Sequence, residues 1–437
     1  MFPIARRART AVAVSPPERA AMIEHLESRY LMASITWANL AGQTNWNSPA
    51  AWVGGVVPTS ADTAVFPSAA GVVQPSLTAN ASVRGITINN SGADYSIGGS
   101  SHTLTIGSGG ISLTSPSSTA ASTSTVSAKL ALSAIPVFSA TNNTGVNTLT
   151  LTGTLSGSTH TIWKDGTGTV NFNGAISGSG TLAIRGTGIA RLGATNTRTG
   201  STQLNDGTTN LAAASSISAG TIWLWGGDLN ATVTNALSGN AVLQVANASS
   251  LATLSAANNR TGSTVVSSGG TLELGHTGAL ASSALTLNSN AVLRLRSNAS
   301  AVFATASTQV ATSGSNVTAT IDVNRISSGT NQTLSLGAFK MNYDNTTLNV
   351  TGGNGFKLGL GALTAQYGTT KNKTINATTA AVSIASVTGS GQMLTFTGSA
   401  TGNTVGAITT GAGTVTLGGG TWTLTGTNTY TGATAVN

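Results

Sequence analysis

Asp206 and Asp228 stand 22 residues apart in a chain of 437 residues that carries only 11 acidic side chains. Glycoside hydrolysis ordinarily needs two carboxyl groups on opposite sides of one bond, one donating a proton and the other acting as base or nucleophile. In a fold of repeating turns of about that length, the pair would stack on neighbouring turns. With His276 they outline a polysaccharide-active enzyme. Against it, none of Asp62, Asp94, Asp165, Asp206, Asp228, Glu273, Asp322 and Asp344 is adjacent to another. One stacked pair falls short of a positioned acid and base, and Asp is an ordinary turn residue. The chain therefore reads as a non-enzyme without catalytic residues. His102, His160 and His276 have no second His at ligand spacing, and there is no cysteine, so neither a metal nor a cofactor is expected.

The other candidate chemistry is recognition. Trp37, Trp46 and Trp52 fall within sixteen residues of turn-rich sequence. Flat indole faces can stack on sugar rings, which would make these three a glycan contact. The competing reading, which the sequence favours, is a hydrophobic plug, since large rings bury much area and the open end of a solenoid needs covering.

Either role depends on the elements that hold these side chains. Only 7% of the chain is charged, 40% is hydrophobic and 54 residues are Gly. The apolar residues are regularly spaced, which argues for folded β-structure over disorder. Thr and Val suit pleated strands, and Gly and Asn suit the corners between them. The net charge of +8 is spread thinly, with no basic run interleaved with aromatics, so nucleic acid is not a partner. In "VLRLRS" the alternation sends Leu293 and Leu295 inward and Arg294 and Arg296 outward, and the same spacing puts Lys371 and Lys373 on one outer face. No apolar run is long enough to span a bilayer. The stretches "SPSSTAASTSTVS" from Ser115 and "ATASTQVATSGSNVT" from Ala304 lose the alternation and read as loops.

Three regions follow. Residues 1–34 form a basic, helical targeting segment, with Ser15, Pro16 and Glu18 as a capping box opening a helix from Pro16 to Met32. Residues 35–70 form the Trp-rich cap. Residues 71–437 are solenoid repeats. Within the first region, "LESRYLMAS" resembles the Leu-Glu-Pro-Arg-x-Leu-Leu tag of large bacterial surface proteins through Leu26, Glu27, Arg29 and Leu31, with Ser28 in place of Pro and Met32 in place of the second Leu. The resemblance implies export to the cell surface. The "GHTG" around His276 resembles a pectin-hydrolase motif, although the other elements of that family's site are missing.

Internal repetition is the strongest signal. "TNTRTGSTQL" from Thr195, "ANNRTGSTVV" from Ala257 and "TNTYTGATAV" from Thr427 share N-x-[RY]-T-G-[SA]-T, with turn glycines at Gly200, Gly262 and Gly432. Their spacings of 62 and 170 residues fit three and eight coils of about 21 residues. The fuller unit, "GAGTVTLGGGTWTLTGTNTYTGATAV", resembles the autotransporter-associated β-strand repeat of bacterial passenger regions. That implies an all-β, right-handed parallel β-helix on a secreted or surface protein. At strand spacing it would form about 19 coils and a rod of about 90 Å. Asn at equivalent corners would stack into ladders. The run ending at Asn437 without a polar cap predicts a truncated chain or an edge that pairs with another copy, and no segment reads as a membrane barrel. The expected function is a structural stalk or adhesin-like passenger facing envelope polysaccharide or another surface protein. The alternatives are the polysaccharide-active enzyme and a carbohydrate-binding surface protein.

Overall fold

A four-residue strand with one apolar face cannot bury that face alone, so these strands are stable only when stacked. The structure, a computed structural model, describes residues 32–90, 93–115, 121–142, 147–157, 159–281, 283–310, 316–366 and 371–437. The expected N-terminal helix, up to Leu31, and the matching part of the tag lie outside these residues. Within them the chain is an all-β parallel solenoid whose one helical element is the 3-10 turn Pro49–Ala51. Two sheets of parallel strands run along it. One has 16 strands, one per turn; the other has 23, because several turns contribute two strands to it.

The core is a set of inward columns. Val126, Leu151, Phe172, Leu192, Leu211, Ala231, Leu254, Leu274, Leu295 and Val323 succeed one another in register through ten turns of the 16-stranded sheet, all of them buried. Each strand completes its apolar surface only against the turns on either side, as the sequence alternation requires.

Turn length is uneven. Ile184, Leu204, Leu224, Val245, Val266 and Leu287 share one register position, so these turns take 20 or 21 residues. From Leu295 through Val323 to Gly352 the register advances by 28 and then 29 residues. The expected coil count and rod length are corrected accordingly: from Ser34–Thr36 to Trp422–Leu424 the stack has 18 strands in succession and spans about 80 Å at the usual strand spacing. The two stretches read as loops each contain a strand, Thr123–Val126 and Ser307–Val310. Ser124 and Thr308 are buried there, so small polar residues occupy inward positions and disguise the alternation.

The repeated motif is a corner. Gly200 and Gly262 precede strands of the 23-stranded sheet three turns apart, matching the spacing expected from the sequence. Gly432 precedes Thr434–Val436, which belongs to the other sheet, so the second interval is seven and a half turns rather than eight. The longer turns have shifted the motif's phase, and both corners accommodate it. Its Gly is required by close approach and not by turn conformation, because none of the three has positive φ. A Cβ on Gly200, Gly262 or Gly432 would come within 2.2, 2.1 or 2.3 Å of a carbonyl oxygen in the preceding turn. Gly262→Ala is expected to cost about 2 kcal/mol through this overlap. Hydrogen exchange should quicken at Thr264–Val266 while the distant strand Thr148–Leu151 keeps its protection.

The motif's Asn clamps main chain on both sides. Asn196 accepts from the Ile176 N–H and donates to the Ser216 carbonyl, Asn258 accepts from Leu237 and donates to Ala279, and Asn428 accepts from Ile408. The expected side-chain ladder forms at one pair of equivalent corners, between Asn345 and Asn316 at 3.0 Å, and others run on the outer strand faces, as between Asn230 and Asn210 at 3.0 Å and between Asn376 and Asn349 at 2.9 Å.

Candidate functional site

Trp37, Trp46 and Trp52 are in the core, 1%, 0% and 2% exposed. Trp52 meets Trp37 and Trp46 edge-on, with ring centroids 5.1 and 5.0 Å apart, and all three pack on Phe66, which leads to Tyr95 at 5.2 Å. The Trp52 Nε1–H donates to the Trp46 carbonyl, that of Trp37 to the Val73 carbonyl, and the Tyr95 hydroxyl to the Pro67 carbonyl. Burial pushes the Tyr95 phenol up to about 12. With their faces consumed by one another, the three indoles offer no platform to a sugar, and their assignment as glycan contacts is corrected.

The carboxylates are engaged locally. Asp206 accepts from the N–H of Gly207 at its own turn. Asp228 stands in register on Thr208, not on Asp206, and accepts from the Leu251 N–H. The expected stacking of the two carboxyl groups is therefore not formed. His276 Nδ1 accepts from the Gly278 N–H, which shapes its own turn. Glu273 and Asp322 flank Arg296 at 3.6 and 2.7 Å. These pairs lie on the outer face, while Leu293 and Leu295 point inward as the alternation requires.

The less expected electrostatics are inside. Arg198 and Arg260, the motif's Arg, are 5% and 0% exposed. Their guanidinium groups face backbone oxygens, not carboxylates: Arg198 reaches Gly180, Gly200 and Ser201, and Arg260 reaches Ala241, Gly262 and Ser263. Each also bonds the hydroxyl of the motif's last Thr, Thr202 or Thr264. Burial lowers both to about 10. Lys164 and Lys373 also point inward, 0% and 1% exposed. Lys164 donates to the Gly166 carbonyl at 3.1 Å, whereas the Lys373 Nζ has no hydrogen-bond partner among the described residues. Lys371 does lie outside, 3.9 Å from Asp344. Placing Lys373 beside it was wrong, because the outward positions of this strand are Asn372, Thr374 and Asn376.

The aromatic surface that does face solvent is elsewhere. In "TIWLWGG" Ile222 and Leu224 are buried, so Trp223 and Trp225 emerge on the outer face. Their rings stack in parallel, 6° from coplanar orientation with centroids 5.1 Å apart. Compared with protein-family models, with curated proteins and with solved structures, the chain matches none. Sixty residues before Trp223, Trp163 is also outward, with the Arg185 guanidinium 3.7 Å from its ring centroid. The signal was present in the sequence: two Trp at alternate positions of a strand whose other residues are aliphatic can only share the outer face.

Proposed function

We propose that this chain is a non-enzymatic, exported β-solenoid that serves as a stalk or adhesin-like passenger at the cell surface. On this reading the coils wind right-handed, as in autotransporter-associated repeats, and the cluster of Trp37, Trp46, Trp52 and Phe66 closes the end of the stack nearest the N-terminus. The tag-like residues Leu26, Glu27, Arg29 and Leu31 direct export. The observation that carries the reading is the parallel stack itself, a continuous core in which each turn is held by the turns beside it. Such a body transmits position along its length, and its Thr, Ser and Asn exterior remains wetted without needing a partner. The local engagement of Asp206, Asp228 and His276 supports a structural role for those groups. No helix among the described residues is long and apolar enough to cross a membrane, and the reading requires none.

The test is labelling of intact cells with a membrane-impermeant amine reagent. Lys129, Lys340 and Lys357 are exposed and should react while a cytoplasmic marker in the same cells does not. A chain that reacts only after lysis would refute surface placement.

A further inference from the structure

We propose that the outer face around Trp223 and Trp225 is a binding platform for an uncharged polysaccharide. The proposal does not depend on where the solenoid resides. Among the described residues Trp225 is the one tryptophan that stands well out in solvent, 45% exposed. Because one of its faces is covered by the parallel ring of Trp223, the exposed area belongs largely to the opposite face. Gly226 and Gly227 follow directly, so no side chain rises beside that face from the next two positions. The main chain that carries the indole is held on both sides. The Trp225 N–H donates to the Leu204 carbonyl of the preceding turn, and its carbonyl accepts from Asn247 Nδ2 of the next at 2.7 Å.

The frame around the rings selects the occupant. Gln203 and Gln244 stand directly before and after Trp223 in the same outward column. Farther along that column come Ala183 and then Trp163, three turns from Trp223, or about 14 Å at strand spacing. The charges in this stretch are Arg185 and Asp165, 3.5 Å apart and self-neutralised, and Asp206 on the turn beside Gly227. The Asp206 carboxylate accepts from the Gly207 N–H and would repel an anionic polymer. A sugar ring presents weakly positive C–H groups that suit the negative face of an indole, and its hydroxyls suit amides that can both donate and accept. A protein partner would call for a wider continuous apolar patch, and a nucleic acid or anionic lipid for unpaired cations. Two stacked indoles among neutral amides match a neutral glycan chain lying along the stack.

The purified full chain would be run in native gels containing galactomannan, hydroxyethyl cellulose, laminarin or dextran, with alginate as a charged comparison. At least one neutral polymer should retard it and perturb tryptophan emission. Trp225→Ala should weaken that retardation at least tenfold, and Gln203→Ala with Gln244→Ala should weaken it several-fold. Val302→Ser, at an exposed position elsewhere, should leave it unchanged. Far-ultraviolet dichroism and thermal midpoints would establish that each variant is folded, and Trp225→Phe should retain part of the binding if Ala proves too severe. Retardation by alginate alone, by no polymer, or equally in wild type and Trp225→Ala would overturn the proposal. So would a Trp225→Ala variant whose only change is conversion of a dimer to a monomer in sedimentation, which would make the patch a contact between copies.

Discussion

Arg260→Ala is expected to lower stability by about 4 kcal/mol, a large effect for a side chain with no ionic partner. The guanidinium is 0% exposed and spans the corner between two turns, bonding the carbonyls of Ala241, Gly262 and Ser263 and the hydroxyl of Thr264. Truncation leaves a cavity where the longest side chain of the corner was. It also strips the charged donor from Ala241 and Gly262, whereas Ser263 keeps the N–H of Leu243. Each buried acceptor left unsatisfied costs about 1–3 kcal/mol, and relief from burying an uncompensated cation offsets only part of that sum. Lysine should not rescue, because a single ammonium on a flexible stem cannot replace a fork that reaches four oxygens. Tyrosine should recover about half of the loss. In the third copy of the motif the Tyr430 hydroxyl lies 2.8 Å from Thr434, at the same four-residue spacing as Arg198 to Thr202 and Arg260 to Thr264. Denaturant unfolding gives the magnitude, and hydrogen exchange locates the loss in the turns on either side, which matters because stacked repeats can open locally. An alanine variant within 1 kcal/mol of wild type would mean the corner is held by Asn258 and Gly262 without the Arg.

This motif also marks how far the sequence could be read. Alternating short strands and a repeated corner were enough to identify a parallel solenoid, because period-two alternation and regular Gly and Asn punctuation are local properties. Which way an isolated side chain points depends on its strand's register, and there the reading was uneven. Arg294 and Arg296 were assigned outward because Leu293 and Leu295 mark the inner face beside them. Lys373 was misassigned because its neighbours in "TKNKT" are all polar, so nothing local distinguishes the two faces, and register with Thr346 and Leu394 decides. The tryptophans invert the same lesson. Trp37, Trp46 and Trp52 sit among turn residues that carry no alternation, and it is the size of their rings, which favours burial over a glycan platform, that agrees with the ring-on-ring packing observed. The flanking Ile222 and Leu224 make Trp223 and Trp225 external, and density of aromatics alone does not reveal that. Turn count depends on insertions such as those that lengthen the register steps after Leu295, and these carry no periodic signal.

The buried lysines give the second large effect, a stability that rises into alkaline pH. Burial pulls Lys164 and Lys373 down to about 8 from an ordinary value of 10.5, against the opposing pull of Asp165 and Asp206 on the first and of Asp344 on the second. Below pH 8 both groups are protonated in the folded and unfolded chain alike, so the full cost of burying two cations is present. Between about 8 and 10.5 the folded chain releases protons that the unfolded chain still holds. The unfolded state then binds more protons, and stability must increase with pH across that window; above about 10 the lowered Arg198 and Arg260 extend the rise and the raised Tyr95 opposes it. A depression of this size corresponds to about 3 kcal/mol per lysine at one pKa unit per 1.4 kcal/mol, so the pair should add about 6 kcal/mol across the whole window. Lys164→Met and Lys373→Met should each stabilise the protein at pH 7 by about 2 kcal/mol, since an apolar side chain of similar length occupies the same inward position without the charge. The effect should be larger at Lys373, whose Nζ has no hydrogen-bond partner among the described residues, than at Lys164, which holds the Gly166 carbonyl. The double variant should lose the rise between about pH 8 and 10. Unfolding midpoints measured from pH 7 to 10, below the range where Arg198, Arg260 and Tyr95 contribute, decide the matter on the four proteins: a flat or falling wild-type curve, or a double variant that retains the rise, would show that the two ammonium groups reach water in the folded chain.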